Sequence, residues 1–170
     1  MPRNVEAKAR VADLEAARAI ALRLGARDTG VDAQVDRYYA LDGGRRVKLR
    51  TSRDGAYLIH YDRAETAGVR SSDYTRTPVR DDEAGRCLVP KTDPLVTVRK
   101  RRRILLLDNV RIHLDDVEGL GTFLELEAVV DADHDDVRCR AQVAELLAAF
   151  GLGDADLIRA SYGELVGNPS

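Results

Sequence analysis

Large aromatic side chains are scarce in this sequence, which has no tryptophan, two phenylalanines and 5% aromatic residues overall. Gripping single-stranded nucleic acid by stacking requires aromatics interleaved with basic strands, so that class is disfavoured. Cysteine is equally sparse. Cys87 and Cys139 stand at no metal-like spacing, which argues against a disulfide framework or thiolate zinc site and fits a reducing, cytoplasmic compartment. No apolar run approaches the length of a membrane span, and Met1-Pro2-Arg3-Asn4-Val5-Glu6 has no apolar leader core. Nor is one sign of charge in excess. The 27 Lys+Arg face 29 Asp+Glu, a formal net charge of -2, with a pI of about 5.9. A protein built to coat nucleic acid normally carries a basic surplus. There is no fixed-period repeat and no low-complexity linker, so the 170 residues read as one domain, 1–170, large enough for a real core.

What the sequence does have is charge, at 33% of residues, set into short alternating segments. Val5, Ala7, Ala9 and Val11 alternate with Asn4, Glu6, Lys8 and Arg10, the two-residue period of a strand. Asp13 is placed to cap a helix that ends near Leu24 at Gly25. Further strands are predicted at about 31–41, 45–52, 56–63 and 69–79, with turn signals at Asp42-Gly43-Gly44 and Asp54-Gly55. The stretch 81–90 reads as a short helix or a loop. Strands follow at about 95–107, 109–116 and 122–130, then a helix over 133–150. Ser161-Tyr162-Gly163-Glu164 has the form of a capping box. About eight closely spaced strands with hairpin turns predict a mostly antiparallel barrel or sandwich.

The charged halves of these strands bear on function. Arg46, Lys48 and Arg50 share one face of their strand, as do Arg111, His113 and Asp115, and Glu125 and Glu127 share another. Carboxylates two residues apart on a strand lie roughly 6.8 Å apart at Cα, close enough to bracket a divalent ion. Mg²⁺ is commonly held by one or two carboxylates together with substrate phosphates, and phosphate oxygens call for Lys and Arg donors. In Val98-Arg99-Lys100-Arg101-Arg102-Arg103-Ile104, alternation sends Lys100 and Arg102 one way and the other arginines the opposite way. Periodicity does not say which set faces inward. His60 and His134 read as surface or structural. His113 shares its face with Arg111 and Asp115, and a lone histidine there is more often a hydrogen-bonding partner than a catalyst.

Asn4-Val5-Glu6-Ala7-Lys8, Arg46-Val47-Lys48-Leu49-Arg50, the basic run 98–103, and the segment from Arg111-Ile112-His113-Leu114-Asp115 through Leu124-Glu125-Leu126-Glu127 resemble one known family. It is the CYTH superfamily of triphosphate tunnel metalloenzymes. The last segment most resembles its class IV adenylyl cyclase branch. The resemblance implies an α+β, mostly β fold: an eight-stranded antiparallel closed β-barrel with flanking helices, its interior binding a triphosphate and divalent cations. It implies Glu6, Glu125 and Glu127 as metal ligands for Mg²⁺ or Mn²⁺. Lys8, Lys48, Arg50, Lys100, Arg102 and Arg111 would hold phosphate oxygens, with Arg63 and Arg76 as further candidates. The choice of Lys100 and Arg102 comes from the family pattern. The family's Glu-x-Glu-x-Lys signature has Asn4 at its first position here, so one negative charge is missing.

The reaction implied is conversion of ATP to 3′,5′-cyclic AMP and pyrophosphate. Asp115 is a candidate proton acceptor, although a carboxylate there equally suits metal binding or pairing with arginine. The same interior could instead hydrolyse thiamine triphosphate, tripolyphosphate or a nucleoside triphosphate, or bind a nucleotide or polyphosphate without turnover. A homodimer is also in keeping with the resemblance, whereas membrane and nucleic-acid partners are disfavoured.

Overall fold

The computed structural model describes residues 3–41, 46–61 and 70–167. Among them, eight strands and four helices make a mostly β α+β fold. In chain order these are β1 (Arg3–Arg10), α1 (Leu14–Arg23), β2 (Arg27–Ala40), β3 (Arg46–Ser52), β4 (Gly55–Tyr61), β5 (Arg70–Val79) and α2 (Asp82–Cys87), followed by β6 (Val96–Leu107), β7 (Val110–Val117), β8 (Gly121–Val130), α3 (Asp136–Ala149) and α4 (Tyr162–Gly167). The helix starts follow from their caps. Asp13 accepts hydrogen bonds from the backbone of Glu15 and Ala16 at 2.9 and 3.0 Å. The Ser161–Glu164 box forms in both directions, with Ser161 N donating to Glu164 at 2.8 Å and Glu164 N donating to Ser161 Oγ at 3.2 Å. The ambiguous stretch after β5 is helix α2, capped by Asp81.

All strand pairs are antiparallel, in the order β1-β5-β4-β3-β2-β6-β7-β8, and β8 pairs back onto β1. The β1–β5 seam is short, Arg3–Glu6 against Arg70–Asp73, whereas β1 pairs with β8 along its whole length. The result is a strongly curled sheet whose two edges meet over that seam rather than along full strands. The Asp42-Gly43-Gly44 turn lies outside the described residues.

The sheet is inverted relative to most. Its apolar face points outward. Val5, Ala7, Leu105, Ile112, Leu114, Leu124 and Leu126 are buried beneath α1 and α3, which contribute Ala17, Ala21, Val143 and Leu147. Each fully buried Leu or Ile there is worth about 2 kcal/mol of hydrophobic stabilisation. A second outer cluster, Tyr39, Val47, Leu49 and Leu58, lies on the β3–β4 side beneath α2. With the apolar residues facing helices, strand alternation turns the charged residues of β1, β3, β6, β7 and β8 into the curl.

The docking of α2 on the sheet depends on Gly85. A Cβ at that position would come within 2.4 Å of Leu49 Cδ1 and 3.2 Å of Val79 Cγ2. Leu49 is fully buried and has little room to yield. Gly85→Val is therefore expected to destabilise the fold by about 1–3 kcal/mol through overpacking, read as a lower urea midpoint at unchanged slope. A midpoint equal to wild type would show that α2 is not closely packed on β3.

Candidate active site

Register builds the interior residue by residue, because paired residues of antiparallel strands share a face. Glu6 pairs with Glu127, which pairs with Arg111. Lys8 pairs with Glu125, which pairs with His113. Asp115 pairs with Arg102, and Arg102 with Asp32. Lys100 pairs with Gln34, Asp36 with Arg50, and Tyr38 with Lys48. Lys48 in turn pairs with Ile59, which faces Arg76. One continuous ionic surface results. It includes every sequence-predicted site residue except Arg63, which lies outside the described residues.

Burial resolves the basic run. Lys100 and Arg102 are 5% and 4% exposed, whereas Arg99 and Arg101 face solvent. Arg76 shares the interior register but is exposed, its guanidinium stacked 3.6 Å from the Tyr57 ring centroid.

The cations gather around two carboxylates. Asp36 is fully buried and accepts a fork from Arg50, with Nε and Nη2 both at 2.7 Å, and a third bond from Lys100 at 3.0 Å. Lys48 Nζ lies 3.8 Å away. Burial alone would raise the Asp36 pKa, but Arg50, Lys100 and Lys48 together hold it well below the usual carboxylate range. Asp115, also fully buried, accepts a fork from Arg102 at 2.8 and 2.6 Å and the Tyr162 hydroxyl at 2.7 Å. Burial opposes its ionisation and Arg102 overrides it, leaving the carboxyl below its ordinary pKa. With both oxygens engaged, Asp115 is a poor proton acceptor. It holds Arg102 and Tyr162 in place, the arginine-pairing alternative noted for it above. Asp36, Gln34, Asp32 and Tyr162 are interior polar residues that sequence reasoning missed.

Burial and then the neighbouring Arg50 push Lys100 down to about 7 and Lys48 down to about 8. On the other side, Glu125 Oε2 lies 3.3 Å from Arg102 and 3.8 Å from Lys8, and Glu127 Oε2 lies 3.3 Å from Arg111. Burial would raise Glu125, but Arg102 and Lys8 keep it well below its ordinary pKa. Burial, then Arg102, push His113 down to about 4, so its ring is neutral at pH 7. Candidate ligand atoms of His113, Glu125 and Glu127 all lie within 4.8 Å of one another. That donor set fits a divalent cation. Glu6 is half-buried beside Glu127. Asn4 is 1% exposed, and its Oδ1 has no hydrogen-bond partner among the described residues.

One end of the interior is stoppered. Tyr162 and the segment before α4 pack against Tyr38, Val98, Val117 and Phe123. Lys8 Nζ sits 4.1 Å from the Tyr162 ring centroid, and the Phe123 and Tyr162 rings meet edge-on at 5.0 Å. The C-terminal segment thus clamps Lys8 and Asp115 while closing that mouth.

A sequence model of the CYTH domain matches residues 2–162. The chain belongs to the CYTH domain family. Over 70 residues this CYTH chain is 37% identical to a protein of Methanocaldococcus jannaschii named "Putative adenylate cyclase", a match spanning 41% of this chain and 40% of that one. Solved structures share the fold over nearly the whole chain. The PH1012 protein of Pyrococcus horikoshii superposes with a TM-score of 0.81 at 24% identity, covering 95% of this chain and 98% of that one. A Vibrio parahaemolyticus protein described as a "putative adenylate cyclase" gives 0.79 at 19% identity, covering 97% and 98%. A Hippeastrum protein gives 0.63 at 14%, covering 97% and 94%. At these identities the structural likeness speaks for the fold.

The weight placed on Asp36 is directly measurable. Asp36→Asn leaves Arg50, Lys48 and Lys100 facing one another without their shared carboxylate. Removing one partner of a buried ionic cluster costs about 3–5 kcal/mol, expected here as an equal loss in urea-denaturation stability. A loss under about 1 kcal/mol would mean that water already screens these cations.

Proposed function

We propose that this CYTH protein is a metal-dependent enzyme that binds a triphosphate inside its curled sheet and converts ATP to 3′,5′-cyclic AMP and pyrophosphate. The observation that carries the reading is the convergence of Lys48, Arg50 and Lys100 on Asp36, with Arg102 beside them, opposite Glu125 and Glu127 on the same interior face. Burial and then the neighbouring Arg50 hold both lysines below their usual pKa, and a bound polyanion would favour their charged forms.

In this reading Lys48, Arg50, Lys100 and Arg102 grip phosphate oxygens, with Lys8 and Arg111 nearer the carboxylates. Glu125 and Glu127, with Glu6 beside them, would hold Mg²⁺ or Mn²⁺, whose chemical contribution is to neutralise charge on the phosphates. The new bond runs from the ribose 3′-oxygen to the α-phosphorus, the bond to the pyrophosphate oxygen breaks, and the hydroxyl proton is released to water. Fixed cations stabilise charge on that leaving group without reorganising at the moment of reaction. Asp36 and Asp115 keep the arginine forks aimed. Tyr162 and Phe123 exclude water from the stoppered end.

Hydrolysis of a triphosphate is the second reading. One observation favours it: both oxygens of Asp115 are occupied, so this carboxylate is not free to take the 3′-hydroxyl proton. The Hippeastrum protein, described as a "putative adenylyl cyclase", is reported with a dominant triphosphatase activity. Product analysis with ATP, thiamine triphosphate and tripolyphosphate in Mg²⁺ or Mn²⁺ separates the two. Cyclic AMP with pyrophosphate is expected, whereas orthophosphate alone would favour hydrolysis. Glu125→Gln should lower turnover by about a hundredfold or more with folding retained, and full activity in that variant would remove the assignment of Glu125.

The lysines also set a pH dependence. An anion binds their charged forms, and in the free protein Lys100 loses its proton near 7 and Lys48 near 8. Binding therefore takes up protons above pH 7. Tripolyphosphate affinity should be full below about pH 6 and fall from there to about 9, by up to roughly tenfold per pH unit for each proton taken up. Lys100→Arg, charged throughout, should flatten that fall in a calorimetric titration. Identical profiles for the two proteins would show that Lys100 does not titrate in the binding step.

A further inference from the structure

His113 lies in the middle of β7 on the interior face, 4% exposed, and its Nδ1 has no hydrogen-bond partner among the described residues. A buried nitrogen left unsatisfied is costly. The carboxylates around it are divided between two tasks. Glu125 gives Oε2 to Arg102 and Lys8, and Glu127 gives Oε2 to Arg111. Their remaining oxygens face the imidazole, with Oε1 of Glu125 at 4.0 Å and Oε1 of Glu127 at 3.8 Å from Nδ1. Both distances are beyond hydrogen-bond reach. A shared ion would draw them together, since bonds of roughly 2.1 Å set neighbouring ligand atoms about 3.0 Å apart and only one atom can lie opposite Nδ1 at about 4.2 Å.

The other histidines lack this arrangement. His134 has both ring nitrogens engaged, by Asp131 at 2.8 Å and Asp108 at 3.0 Å, and His60 is exposed.

We propose that His113 Nδ1 is a third protein ligand alongside Glu125 and Glu127, making this a mixed nitrogen–oxygen site that selects Mn²⁺ or another first-row transition ion over Mg²⁺. Mg²⁺ favours oxygen ligands and gives up its water reluctantly, whereas first-row transition ions accept an imidazole nitrogen, Mn²⁺ the least strongly of the series. The two glutamates stay anchored through Oε2 when Oε1 turns to the ion, so the arginine and lysine contacts survive binding. His113 thus compensates in donor number, though not in charge, for the acidic residue missing at Asn4.

This inference rests on the functional reading only for Glu125 and Glu127 as cation ligands. Its test uses the full chain with Mn²⁺ alone, without any triphosphate. Pulsed electron paramagnetic resonance should show ¹⁴N modulation from a directly bound imidazole in wild type and in His60→Gln, and none in His113→Gln. The Mn²⁺ Kd should rise at least roughly tenfold in His113→Gln, and Mg²⁺ should compete with Mn²⁺ at least roughly tenfold more weakly than parity. The wild-type spectrum decides the matter even if the variant fails to fold. Bound Mn²⁺ without nitrogen modulation, no Mn²⁺ binding, or Mg²⁺ competing at parity would each overturn the proposal. Nitrogen-ligated Mn²⁺ in a protein that turns over no triphosphate would leave it standing and remove the reaction assignment.

Discussion

Ionic groups turned into the curl of a sheet must neutralise one another there, and that requirement governs the whole molecule. Moving a charge out of water costs several kcal/mol even after relaxation, so it is tolerated only with close partners. Here antiparallel register supplies most of those partners, and the C-terminal segment supplies Tyr162. Asp36 meets the Arg50 fork and Lys100, and Asp115 meets the Arg102 fork and Tyr162. Once the charged residues occupy the interior, the two-residue strand period leaves Val5, Ile112, Leu124 and Leu126 on the outside, where α1 and α3 must cover them. The helices are a consequence of the ionic interior as much as a support for it.

The interior has two halves. Around Asp36, contributions from β2, β3 and β6 make a cationic region. Around Glu125 and Glu127, β1, β7 and β8 make an anionic one. Arg102 joins them, forked onto Asp115 and 3.3 Å from Glu125. Such a division suits a ligand that is itself an anion carrying a cation. Buried carboxylates hold both forks in place, a fixed arrangement of the kind that stabilises charge without reorganising.

Much of this was legible in the sequence, because β1, β3, β7 and β8 alternate charged and apolar residues and their outer faces are covered by helices. Lys8, Lys48, Arg50, Glu125 and Glu127 could be placed on common faces from that pattern. The face choice in β6 could not, because Arg99, Arg101 and Arg103 stand opposite Lys100 and Arg102 and both faces are charged. Pairing with β2 and β7 decides it, and such long-range pairing leaves no local signal. Asp36 was hidden for a related reason. Along β2, Val31 and Ala33 are exposed on the outer face while Asp32, Gln34 and Asp36 are buried on the inner one, so hydrophobicity there points the wrong way. Tyr162 was visible only as part of a helix cap. Its insertion between Lys8 and Asp115 depends on where the chain's last described segment returns.

Asn4 and His113 then acquire a common explanation. Both are buried, both lie on the carboxylate side of the interior, and each leaves an acceptor-capable atom without a hydrogen-bond partner among the described residues. Neutral groups there add no repulsion to Glu125 and Glu127, which already rely on Arg102, Lys8 and Arg111 for compensation. A fourth carboxylate at position 4 would have required a further cation, from the protein or from a ligand. The neutral pair therefore lets the anionic half fold with its own arginines and lysine as counter-ions, and leaves donor atoms rather than extra charge to meet an incoming cation.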